Sequence, residues 1–168
     1  MNLAAADLAD PTLGDDVLRL LQEHGVPAEW LCLELTENAV AGQPERAAAL
    51  MHRLHAAGVT FALDDVGTGR LSLAQLTGLP LSELKVDRSF VGRMTTDRAS
   101  NLVVRTVIDL GAKLGLTTVA EGVEDVATLA ALTNRGCHTA QGFLLCEPVP
   151  AEEFDAWYRR EHADPRAA

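Results

Sequence analysis

The chain has 168 residues, 48% of them hydrophobic and 4% aromatic, which predicts one compact domain with its own core and not a disordered segment. Its 14 basic and 24 acidic residues give a formal net charge of −10, the opposite of the basic footprint that nucleic-acid binding needs, so no duplex DNA or RNA partner is expected. No apolar run reaches the roughly 18 to 20 residues of a membrane span, and no basic region followed by an apolar stretch opens the chain, so a cytoplasmic protein without a membrane span is expected.

In chain order, a strand stub at Asn2 comes first, then D-D-V-L-R-L-L-Q-E-H-G, whose Val17, Leu18, Leu20 and Leu21 are expected on one side of a helix stopped by Gly25. A strand over Trp30 to Leu35 follows, then a helix from about Pro44 to Ala57 ending at Gly58 and a buried strand in T-F-A-L-D-D. A short helix near Ser72 to Thr77 leads through Gly78 and Pro80 to the strand E-L-K-V-D. A longer helix from about Ser100 to Leu114 leads to T-T-V-A-E-G. The last units are a helix near Asp125 to Asn134, a strand near Cys137 to Ala140 and an amphipathic helix opened by Pro150, whose Phe154, Trp157 and Tyr158 form a stripe expected to dock on the exterior of the domain. Strands alternating with helices mean parallel βαβ units, so the fold class is α/β, a barrel in progress. A (β/α)8 barrel typically needs about 250 residues, and roughly two βα units ahead of Asn2 are expected to be missing. Residues 1–160 read as one partial domain and 161–168 as a C-terminal tail.

Cys32, Cys137 and Cys146 are odd in number and form no C-x-x-C pair, so they read as small buried hydrophobes. His52 and His55 lie three apart with no third ligand and read as a polar helix face, and His138 as structural.

Polar residues gather at the C-terminal ends of the predicted strands: Glu34 and Glu37, Asp64 and Asp65, Lys85 and Asp87, Glu121 and Glu124, and Gln141. In a barrel those ends converge on one face, where active sites lie. Neighbouring carboxylates need a positive partner, and oxygen-rich clusters favour Mg2+, Mn2+ or Ca2+. Asp64 with Glu34 and Glu121 therefore reads as a divalent-metal site. The alternative is that these acids are solvated loop residues or helix caps. For Lys85 the alternative is an ordinary salt bridge with Asp87.

E-L-T-E at Glu34 to Glu37, D-D-V-G-T-G at Asp64 to Gly69, K-V-D-R-S-F at Lys85 to Phe90, A-E-G-V-E at Ala120 to Glu124 and A-Q-G-F at Ala140 to Phe143 resemble, in order and spacing, the motifs of the EAL domain family. The opening N-L-A-A-A-D-L resembles that family's N-L-S segment, so the likeness runs from residue 2 to about residue 158. It implies an incomplete (β/α)8 TIM-like barrel of EAL type and a bacterial signalling hydrolase that opens cyclic di-GMP to linear pGpG with two Mg2+ or Mn2+ ions. Carried over by motif, Asn2, Glu34, Asp64, Asp65 and Glu121 would be metal ligands. Lys85 would position or activate the attacking water, Gln141 would hold the water or metal shell, and Glu37 would anchor the loop Val66 to Leu73. That loop departs from the family pattern at Val66 and at Arg70-Leu71, and Arg70 reads as a surface residue. The E-A-L tripeptide has no counterpart in these residues.

Three readings follow. The chain is a piece of a longer phosphodiesterase. Or it is a non-catalytic cyclic di-GMP-binding or protein-interaction module, with a second copy or a partner domain covering the open barrel edge. Or it completes an active site from another chain. The 168 residues alone are expected to show little or no hydrolysis.

Overall fold

The computed structural model describes residues 1–67 and 71–161. Among them six strands form one sheet: β1 (Asn2–Leu3), β2 (Cys32–Thr36), β3 (Thr60–Val66), β4 (Glu83–Val86), β5 (Thr117–Glu121) and β6 (Thr139–Gln141). The spatial order is β1-β2-β3-β4-β5-β6, and every neighbouring pair is parallel. Strands laid down in sequence order never reverse direction across the sheet, so right-handed crossovers keep the helices on one side. That is the wall of a barrel, whereas a doubly wound sheet would reverse its order part-way.

Eight helices connect or follow the described strands: α1 (Leu13–Glu23), α2 (Glu37–Gly42), α3 (Pro44–His55), α4 (Leu73–Thr77), α5 (Arg88–Val91), α6 (Arg98–Leu114), α7 (Val126–Asn134) and α8 (Ala151–Glu161). Their starts follow local chemistry. Asp97 accepts from the backbone N–H of Ala99 and Ser100 at the head of α6, Asp125 accepts from Thr128 N–H at α7, and Ser72 with Gln75 builds a reciprocal capping box at α4. Gly115, at φ 70°, ends α6 in the left-handed conformation that costs glycine least.

Period-two alternation assigns the strand side chains. Leu33, Leu35, Phe61, Leu63, Leu84 and Val86 enter one core with Ala47, Met51 and Leu54 of α3 and Val104, Val107 and Ile108 of α6. Glu34, Asp64, Lys85 and Glu121 fall on the alternate positions and line the opposite, concave face. Ala62 and Val119 are buried on that face, outside the helix-packed core. Gly111 brings α6 flat onto β5: a Cβ there would lie 2.3 Å from Thr118 Cγ2.

Several expectations need correction. Trp30 belongs to a 3-10 turn, Ala28–Trp30, and is 77% exposed, so the strand begins only at Cys32. Leu20 points outward, while Val17 is buried and Leu18 and Leu21 pack on the core. The strand expected from Cys137 begins at Thr139. The three cysteines are free thiols of intermediate exposure, not fully buried hydrophobes. The aromatic stripe of α8 does not sink into the barrel exterior: no residue of that helix is buried, and Phe154 and Tyr158 are 45% and 50% exposed. Phe154 instead stacks within the helix, its ring centroid 5.5 Å from that of Trp157. Glu161 closes α8, and residues 162–168 of the expected tail lie outside the described residues.

Candidate active site

Strand register sets the positions of the polar groups. Asn2 lies opposite Glu34, Thr36 opposite Asp64, and Glu121 opposite Gln141. The centre of the cluster is Lys85 on β4, 6% exposed. Its ammonium stands 2.6 Å from Glu34 Oε2 on β2 and 2.6 Å from Glu121 Oε1 on β5. These are charge-assisted hydrogen bonds of the short, strong kind. Burial works to lower the lysine pKa, but the bonds to Glu121 and Glu34 outweigh it, and the net shift is upward. Lys85 is thus an ammonium at neutral pH. Asp87 instead caps α5, its carboxylate accepting from Ser89 N–H at 3.0 Å.

Asp64 and Asp65 are placed by a backbone irregularity. The β3–β4 register shifts between Leu63 and Val66, and Asp65 takes φ 57°, the one non-glycine residue with positive φ among those described. A left-handed aspartate at a bulge breaks the alternation of the strand. Asp65 N–H donates to Asp64 Oδ1 at 2.8 Å. Burial raises the Asp65 pKa, as do the neighbouring charges of Asp64 and Asp87 and a side-chain hydrogen bond with Asp87. Burial likewise raises that of Glu121, with the Lys85 hydrogen bond opposing it.

Glu37 is 4% exposed at the first turn of α2, and its Oε1 accepts from Leu71 N–H at 2.7 Å, holding one end of the β3–α4 loop. Thr68, Gly69 and Arg70 of that loop lie outside the described residues. Gln141 is exposed at the end of β6, and Asn2 is exposed at the other edge of the sheet. The sequence placed Asp87 at a strand end and offered it only as a salt-bridge partner for Lys85, missing its role as the cap of α5. Its signal was available: an Asp two residues before Ser89, following a strand, is a helix cap that draws its carboxylate to the strand ends.

The donor set is carboxylate and amide oxygen, which suits a hard divalent cation. Among the described residues no three His, Cys, Asp or Glu side chains are grouped as a metal cage. The Lys85 ammonium is the cation between Glu34 and Glu121. His52 and His138 serve the fold instead: His52 Nε2 lies 3.1 Å from Gly78 O, and His138 Nδ1 accepts from Thr118 N–H at 3.1 Å.

A family model described as EAL domain matches residues 1–148. The chain belongs to the EAL domain family. It is 40% identical over 154 residues to the bifunctional diguanylate cyclase/cyclic di-GMP phosphodiesterase MucR of Pseudomonas aeruginosa, covering 92% of this chain and 22% of that protein. It is 39% identical over 168 residues to the cyclic di-GMP phosphodiesterase NbdA of the same organism, covering 98% of this chain and 22% of that protein. The solved PaMucR phosphodiesterase in complex with c-di-GMP superposes with a TM-score of 0.88 at 40% identity, covering 91% of this chain and 62% of that one. This EAL chain thus spans about a fifth of the length of the curated relatives it matches. EAL phosphodiesterases are metal-dependent. No helix among the described residues is long and apolar enough to cross a membrane.

Proposed function

We propose that this EAL chain carries a cyclic di-GMP site of phosphodiesterase type, and that its 168 residues alone turn the ligand over slowly or not at all. The supporting observation is the Lys85 ammonium held between Glu34 and Glu121 at adjoining strand ends, with Asp64 and Asp65 beside it. Asn2, Glu34, Asp64, Asp65 and Glu121 would hold Mg2+ or Mn2+. Such ions, when bound, polarise a phosphoryl oxygen and lower the pKa of a water. They also let a chain of net charge −10 accept a dianionic ligand.

The residues of the chain do the rest. Lys85, protonated, donates hydrogen bonds to a water or phosphate oxygen and orients it. Gln141 supplies an amide at the rim of the same face, and Glu37 holds the Leu71 backbone ahead of α4. Turnover is weak because β1 and β6 are open sheet edges among the described residues, so the concave face admits water and its electrostatics are screened. The same open edges favour a second reading, a non-catalytic cyclic di-GMP-binding or protein-interaction module whose edges are covered by a second copy or a partner domain.

The test is incubation of the purified chain with cyclic di-GMP and Mn2+, with chromatography for pGpG and a parallel binding titration. Metal-dependent binding with little product supports the proposal. Product formation abolished by Asp64→Ala would show that the chain is a competent enzyme, and absence of binding with or without metal would overturn the cyclic di-GMP assignment.

A further inference from the structure

Helix α5 is four residues long, yet the turn after β5 rests on it with no clearance, and the turn after β3 is wedged between it and α6. Gly122 directly follows Glu121, at φ 67°, and a Cβ built there would lie 2.5 Å from Arg88 Cβ and 3.3 Å from Arg88 Cα. Ordinary carbon contact is about 3.5 to 4.0 Å, so a methyl group at Gly122 forces the β5 end and α5 apart by about 1 Å. On the other side Gly67, two residues after Asp65, sits where a Cβ would lie 2.8 Å from Val103 Cγ1 of α6 and 3.4 Å from Phe90 Cε2 of α5. Between them α5 follows β4 directly through Asp87, whose carboxylate caps it.

We infer that α5 is the spacer that sets the separation of the β3, β4 and β5 ends, with Gly122 against Arg88 and Gly67 against Phe90 and Val103 as its two seats. Gly67, Arg88, Phe90 and Gly122 are then positioning residues that act through Asp64, Asp65, Lys85 and Glu121. Their bearing on chemistry rests on the function proposed above; the spacing itself does not. The need for tight seats follows from the site. Lys85 meets Glu34 and Glu121 at 2.6 Å each, so one ammonium spans two strands at once, and a shift of about 1 Å at either end breaks one of its two bonds. Displacements of that size in a catalytic constellation cost on the order of 100-fold in rate.

The molecule supplies its own control. Gly136 has φ 74° with nothing within 4 Å of a built Cβ, so Gly136→Ala imposes the same left-handed strain as Gly122→Ala without the collision. In the metal-free 168-residue chain, the ammonium signal of Lys85 and the side-chain carboxyl signal of Glu121 are followed by NMR. Gly122→Ala is expected to shift or broaden both, Gly136→Ala to leave both in place, and Arg88→Gly with Gly122→Ala to return them toward their starting positions. Unmoved signals in Gly122→Ala, equal movement in Gly136→Ala, or no recovery in the double variant would each overturn the inference. Should Gly122→Ala fail to fold, Gly67→Ala with and without Val103→Ala applies the same test from the β3 side, read at Asp64 and Asp65. Added Mn2+ addresses the other question: if it leaves the wild-type carboxyl signals unbroadened, the proposed function fails while the spacer has still been tested.

Discussion

The helix-covered face of the sheet presents Leu33, Leu35, Phe61, Leu63, Leu84 and Val86, none more than 1% exposed, while β2, β3 and β4 turn Glu34, Asp64 and Lys85 to the concave face, where Glu121 of β5 joins them. Adjacent residues therefore answer to different physics. One set is held by burial, worth about 1.5 to 3 kcal/mol for each fully buried large side chain. The other is held by mutual charge, with the Lys85 ammonium bonded to two of several carboxylates. The contrast teaches that the period-two alternation of a strand is enough to separate what keeps this domain folded from what gives it chemistry.

The largest break in that comparison comes from the covered face. Phe61→Ala is expected to cost about 3 to 5 kcal/mol, read as a lower midpoint in urea unfolding followed by circular dichroism. Lys85→Met should cost about 3 kcal/mol, the lower end for breaking a buried pair, because the Glu34 and Glu121 side chains keep 24% and 21% exposure. Its signature separates it from Phe61→Ala: Mn2+ should restore more stability to Lys85→Met than it adds to the wild type, in thermal unfolding with and without the ion. Gly111→Ala should destabilise by about 1 to 3 kcal/mol. Alanine is normally the better helix former by about 1 kcal/mol, but the collision with Thr118 outweighs that preference.

Titration sharpens the contrast further. Burial raises the folded pKa of Asp65 and Glu121 above their unfolded values, so the folded state holds their protons more tightly. Stability from these two rises as pH falls from above the raised values toward the ordinary carboxylate range. The helix caps run the other way. The Ser100 side chain holds Asp97 low, and the Thr128 backbone holds Asp125 low, so their contribution is present above the ordinary value and lost as pH falls through the folded one. Asp65→Asn should flatten the first trend and Asp97→Asn the second in urea titrations across pH. The smallest effect is expected from Trp30→Ala, within about 0.5 kcal/mol, since that residue is largely solvent-exposed.

The long elements and the acid-bearing strand ends were legible because apolar periodicity and strand-end chemistry are local signals. Asp64 and Asp65, Lys85 and Glu121 could be put at strand ends from sequence alone. That Lys85 joins Glu34 and Glu121, residues 51 and 36 positions away, could not, because the register of β2, β4 and β5 determines it. Helices α2 and α5, of six and four residues, are too short to show a period. The left-handed turn at Asp65 left no mark because the residue is not glycine. Trp30 and the aromatic stripe of α8 misled for one reason: apolar character predicts burial only when a neighbour is there to cover it.

The most direct test of the central claim is equilibrium binding of cyclic di-GMP to the 168-residue chain by calorimetry, with Mn2+ present and absent. The account expects binding that requires the ion and is lost in Asp64→Ala while the variant stays folded. Binding that ignores both the ion and Asp64, or no binding by the folded wild type under either condition, would contradict it.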